Sequence, residues 1–233
     1  MAAKIIRSFA LSAVLMFALS ASGQIQATEI EKLQTLADQV KAALAASDLD
    51  LAMRLGAQLS VGISKQRQAT QPTPQQKLHD TVQSLPAEGI ERFYGLKAAA
   101  QVAFDAGDLN TAENYANELL ADAPSYPKDW NYCNAIYSGN MLLGRVALRR
   151  DKNVALARNL LIASGKTPGS PQLNSFGPNM SLAKDLLVAG ERDTVLEFFG
   201  ESSFWNQKFS KLDQWAATVK GGGEPDFGAN LRY

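Results

Sequence analysis

Gly107-Asp108-Leu109-Asn110-Thr111-Ala112-Glu113-Asn114-Tyr115-Ala116-Asn117-Glu118-Leu119-Leu120-Ala121-Asp122-Ala123-Pro124 reads as the turn and second helix of a helix-turn-helix unit. Gly107-Asp108 interrupts an alanine-rich helical run, Ala112 stands five residues after the glycine, and Pro124 stops the second run. A glycine break lets the chain leave one helix, and a small residue one turn into the next lets the two axes approach closely. The same offset of five links Ser47 to Ala52, Lys152 to Ala157 and Gly190 to Val195. Successive breaks are 60, 45 and 38 residues apart, so the units recur without a fixed period.

Working outward, Thr28-Glu29-Ile30-Glu31 has the form of a capping box, followed by Ile30, Leu33, Leu36, Ala37, Val40 and Leu44 at helical spacing. After Ser47-Asp48 a second amphipathic run carries Ala52, Leu55 and Leu59. Residues 65–76 hold five glutamines and two prolines and read as a solvated linker. Thr73-Pro74 with Gln76 closes a second capping box before a short helix carrying Leu78, Val82 and Leu85. Helices are predicted over 88–106, 109–121, 129–149, the run after 153, 179–189, 194–199 and 204–219, with a Gly/Pro/Ser-rich loop at 165–178. No segment sustains the two-residue alternation of a strand. The fold class expected is all-α, an α-solenoid of about four antiparallel helical hairpins across 28–219 with a C-terminal capping helix. The tail 220–233, with Phe227, Leu231 and Tyr233, is expected to dock along the helices.

Gly107, Asp108, Ala112 and Pro124 resemble the later consensus positions of a tetratricopeptide repeat. Leu143-Gly144, Ala147 and Ala157 resemble a second copy with one residue inserted in its turn. The stretch Gly165-Lys166-Thr167-Pro168-Gly169-Ser170-Pro171, continuing to Phe176-Gly177-Pro178-Asn179, and the ending Asp226-Phe227-Gly228-Ala229-Asn230 are similar to those of uncharacterised bacterial exported repeat proteins. The resemblance implies a right-handed superhelix whose concave face binds extended peptides or other proteins.

Lys4 and Arg7 precede an apolar core and the small residues Ala18-Leu19-Ser20-Ala21-Ser22-Gly23, the order of a secretory signal over 1–23. The core falls short of the roughly 20 apolar residues of a membrane span, and no other stretch reaches that length, so no span is expected after cleavage. Export to a periplasm or the medium is the expected localisation. Without Lys4 and Arg7 the chain keeps 21 basic and 23 acidic residues, a balance that gives no pull toward nucleic acid or anionic lipid. Cys133 is the single cysteine and His79 the single histidine. They cannot supply a usual zinc site of three or four nitrogen and sulfur ligands, and no metal or cofactor is expected.

The segment 129–141 breaks a local rule, because asparagine is a poor helix former and three of them stand within ten residues of a predicted helix. Trp130, Asn134, Tyr137 and Met141 share a helical stripe, with Asn131 and Asn140 beside it. Rings that bury apolar faces, interleaved with amides that pair with backbone or hydroxyl groups, suit an extended peptide or a glycan. The same residues could instead fill the core between repeats and satisfy the neighbouring loop. The functional expectation is an exported, non-catalytic interaction scaffold for a protein or peptide partner in the cell envelope. The alternative is a glycan- or small-ligand-binding protein using the 130–140 stripe. A carboxylate-dependent hydrolase employing Glu88, Glu91 or Asp129 comes third.

Overall fold

The computed structural model describes residues 25–205 and 211–231. The segment 1–23 read as a signal, together with Phe209 and Tyr233, lies outside the described residues. Eleven α-helices follow in order: α1 Ile25–Ala45, α2 Leu49–Thr70, α3 Pro74–Ser84, α4 Gly89–Asp105, α5 Leu109–Asp122, α6 Tyr132–Asp151, α7 Val154–Gly165, α8 Pro171–Phe176, α9 Ser181–Val188, α10 Arg192–Glu201 and α11 Leu212–Lys220. Short 3-10 turns lie at Ala123–Ser125, Ser202–Trp205 and Gly228–Leu231. No strand occurs among the described residues, as the missing alternation required. The chain is all-α.

The chain divides into two compact units, 1–72 and 73–233, and the boundary falls inside the glutamine-rich stretch. In the first, α1 packs on α2. Two expectations are corrected here. Thr28 lies inside α1, which already starts at Ile25, so its capping box does not open the helix. The stretch 65–76 is helical as far as Thr70, because Lys, Gln and Arg are good helix formers and nothing breaks the ladder before Pro72. Gln71 is extended, the conformation a following proline favours.

In the second unit, Thr73 and Gln76 form the expected reciprocal cap of α3. Successive pairs α4–α5, α6–α7 and α9–α10 are each in contact, and α6 touches α4, α5, α7 and α9. The second helices α7 and α10 also meet, and α11 closes against α10. The turns within the pairs share one construction. Ser47, Gly107, Lys152 and Gly190 all adopt positive φ. The next residue is then the N-cap, and the Asp48, Asp108 and Asn153 side chains accept from the backbone three residues on. Asp48, Asp108 and Glu191 each donate their N–H to the carbonyl five residues back, whereas Asn153 reaches back six to Ala147, which is the inserted residue. Ala52, Ala112, Ala157 and Val195 are all buried, and each is the first residue to bond the cap carbonyl. The offset of five therefore marks where the second helix meets the first.

The C-terminal end is closed by side chains rather than by another hairpin. Phe227 packs edge-on to the Phe199 and Trp215 rings, and Trp215 Nε1 donates to the Asp226 carbonyl. Asn230 Nδ2 donates to the carbonyls of Phe176 and Pro178, while Met180 N–H donates to Asn230 O. The tail is docked through Leu231. Expectations for the last helix change: Ser202–Trp205 forms a 3-10 turn and α11 starts only at Leu212.

Glycines test this geometry. A Cβ at Gly144 would stand 2.3 Å from Cδ2 of the fully buried Leu182, so Gly144→Ala should cost about 1–3 kcal/mol through overpacking. At Gly107 nothing lies within 4 Å, so Gly107→Ala should cost only the left-handed penalty, about 1–2 kcal/mol. Lys152→Gly should shift stability the other way. Urea midpoints read all three, and an unchanged Gly144→Ala midpoint would refute the close approach of α6 and α9.

Candidate functional site

The region 126–132 is two tight turns before α6 rather than helix: Asp129 N–H donates to Tyr126 O and Tyr132 N–H to Asp129 O. The Asp129 carboxylate accepts the Tyr94 hydroxyl at 2.7 Å and the Asn131 N–H at 2.7 Å. That bond to Asp129 pushes the Tyr94 phenol above its ordinary value. Trp130 rests on Tyr94, ring centroids 5.4 Å apart, and is 50% exposed. Trp130 thus precedes the helix and does not share a helical stripe with Asn134 and Tyr137.

The structure assigns the other sequence candidates to different tasks. Tyr137 is in the core, and its hydroxyl donates to Asn179 O at 2.5 Å. Asn134 is buried, accepts from Ser170 Oγ at 2.5 Å and donates to Gln172 Oε1 at 3.1 Å. Both residues hold the 165–178 loop, which contains the short helix α8 capped by Ser170. Asn140 is half-buried and donates to Ile136 O, on the opposite flank of α6. Their side chains are therefore engaged inside the protein, and the surface open to a ligand is set by neighbours.

Those neighbours form a different row: Asn131, Asn134, Ser138 and Arg145 follow one face of α6. Asn131 and Ser138 are 7% and 8% exposed, and among the described residues neither side chain has a hydrogen-bond partner. Their polar atoms are not among the occluded ones that lack a partner, Gln66 Nε2 and Ser202 Oγ, so water reaches both and a ligand's polar groups can replace it. On one side stands α4. Its Tyr94 meets Trp130, and its Phe104 ring takes the Arg145 guanidinium at 4.3 Å. Lys97 and Gln101, on the same side of α4, fall between these two contacts. On the other side stand Ser170 and Gln172 of the loop, and farther along Asp185 of α9, paired to Arg145 at 2.9 Å.

Among the described residues Lys97 has no ion-pair or hydrogen-bond partner, and it is exposed. Water reaches it, yet surrounding protein lowers its pKa below the ordinary 10.5. Chemically the face offers an indole, a side-chain amide and a hydroxyl open to water, and a cation that has no partner among the described residues. Of the carboxylates considered for hydrolysis, Asp129 is bound by Tyr94 and the Asn131 amide, and Glu91 is exposed in the first turn of α4. His79 is exposed on α3, and Cys133 is half-buried on α6 with a free thiol. Among the described residues no group of three or more His, Cys, Asp or Glu is placed to hold a metal ion. No described helix is long and apolar enough to cross a membrane.

Ser138 lies within the 129–141 segment that the sequence singles out, one turn after Asn134. Lys97 and Tyr94 could not, because their part depends on α4 lying beside α6. Comparison with protein families, curated proteins and solved structures finds no match to this chain.

The lowered Lys97 pKa sets a pH dependence. The unfolded chain holds that proton more tightly, so the penalty for burying the charge is fully present at neutral pH. It fades as pH climbs through the folded value toward 10.5. Lys97→Met should raise the thermal midpoint at pH 7, with the gain shrinking by pH 10. A gain that stays constant from pH 7 to pH 10 would show that desolvation of the charge is not its source.

Proposed function

We propose that this chain is an exported, non-catalytic interaction protein. In this reading its hairpins stack as a tetratricopeptide-like solenoid, and the face carried by α4, α6 and α9 takes an extended segment of a protein partner in the cell envelope. Stacking is supported by the order of contacts, in which each first helix meets the next first helix (α4 with α6, α6 with α9) while α7 meets α10. Repetition of one turn construction at four places argues the same way. Export rests on the order of residues in 1–23, and the destination is a periplasm or the extracellular medium.

The observation that carries the reading is the half-exposed Trp130 indole resting against Tyr94, on the face that also carries Asn131, Ser138 and Lys97. An extended peptide exposes an N–H and a C=O at every residue, which side-chain amides and hydroxyls can match two at a time. Trp130 offers an apolar anchor at one end. A pull-down from envelope extract with the mature chain tests this. Trp130→Ala and Lys97→Glu should each lose a partner that the wild type and a His79→Ala control retain. Retention of every partner by both variants would remove this face as the contact surface.

Trp130 also favours a second reading, binding of a glycan, because a half-exposed indole braced by Tyr94, itself bonded to Asp129, is a surface on which a sugar ring can stack. Oligosaccharide titrations followed by tryptophan fluorescence separate the two: saturable quenching lost in Trp130→Ala supports the glycan, and an unresponsive signal supports the peptide.

A further inference from the structure

The first unit carries a surface unrelated to that face. A Cβ placed on Gly62 of α2 would meet Leu33 of α1 at 2.4 Å, which marks the seam of the hairpin. Beside the seam a second row runs the length of α2: Leu49, Met53, Gly56, Ser60, Ile63 and Arg67, at spacings alternating between four and three. Leu49 and Met53 are 64% and 68% exposed, and no atom lies within 4 Å of a Cβ built on Gly56. Large apolar side chains in water, flanking a small-residue step, form a helix face without a cover.

The row is symmetric about position 58. Leu49 and Arg67, Met53 and Ile63, and Gly56 and Ser60 each stand equally far from it on either side. A second copy of α2 laid antiparallel would place Met53 on Ile63, run Leu49 along the aliphatic stem of Arg67, and bring Gly56 beside Ser60 where the axes cross. The helix ends are oppositely charged, with Asp48 and Asp50 at one end, Lys65 and Arg67 at the other, and Arg54 the one charge between them. Antiparallel copies set these ends opposite each other, and parallel copies would set like against like.

We infer that the chain self-associates through α2, as a two-fold dimer whose axis passes between Gly56 and Ser60, the point of closest approach. One helix on one helix is a small interface, below about 1,200 Å², so the dimer is a weak one with a dissociation constant on the order of 10 μM.

Sedimentation velocity of the full mature chain from about 1 to about 200 μM spans that range. The wild type should move from the mass of one chain to that of two. Gly56→Lys places ammonium groups at the crossing while improving helix propensity, so it should stay monomeric with unchanged helicity. Arg67→Glu should weaken association at least tenfold, and Val61→Lys, exposed on the far side of α2, should associate like the wild type. A wild type that remains one chain at about 200 μM, or a Gly56→Lys variant that dimerises as tightly, would overturn the inference.

Discussion

Close approach at small residues around α6 is the constraint on which the second unit depends. Four helices touch α6, and none could do so over large side chains on every face. Gly139 accommodates Leu120 of α5, Gly144 accommodates Leu182 of α9, and the fully buried Ala112 and Ala157 give α5 and α7 their close contacts. Hydrophobic burial then comes from partners: Phe93, Leu96 and Leu119 on one side of α6, Leu182, Leu186 and Phe198 on the other. With apolar packing handled on those flanks, one remaining face of α6 carries polar residues.

Polar side chains there hold irregular chain in place. Helix α9 spans only Ser181–Val188, so it covers the C-terminal half of α6 and leaves the N-terminal half to irregular chain. Irregular chain against a core brings N–H and C=O groups that need partners. Tyr137 and Asn230 supply them, to Asn179 O and to Phe176 O and Pro178 O, while Asn134 bonds the Ser170 and Gln172 side chains. Gly177, at φ 83° with the Trp205 ring where a Cβ would stand, lets the loop pass beneath that ring. A polar network and a docked tail thus replace two turns of helix.

The helical class and the four internal turns were legible in the chain because their signals are local: a residue tolerating positive φ, an Asp or Asn cap, and a small residue five positions on. Docking of the tail was also legible, from Phe227 and Leu231 among glycines. The continuation of α2 through its glutamines was missed because composition was weighed above propensity, and the true break needed only Pro72. The inward use of Asn134 and Tyr137 was one of two readings that the residues left open, since an amide beside an aromatic looks alike on a binding face and under a loop. Lys97 stands on α4 and owes its part to α6 lying alongside, and a juxtaposition of that kind has no local signal.

Native-state hydrogen exchange, resolved by residue, tests the central place of α6 most directly. If four neighbours lock it at glycine and alanine, the amides from Ala135 to Ala147 should exchange only through global unfolding and rank among the slowest in the second unit. Exchange of those amides through a smaller opening, while α4 and α5 stay protected, would contradict the account.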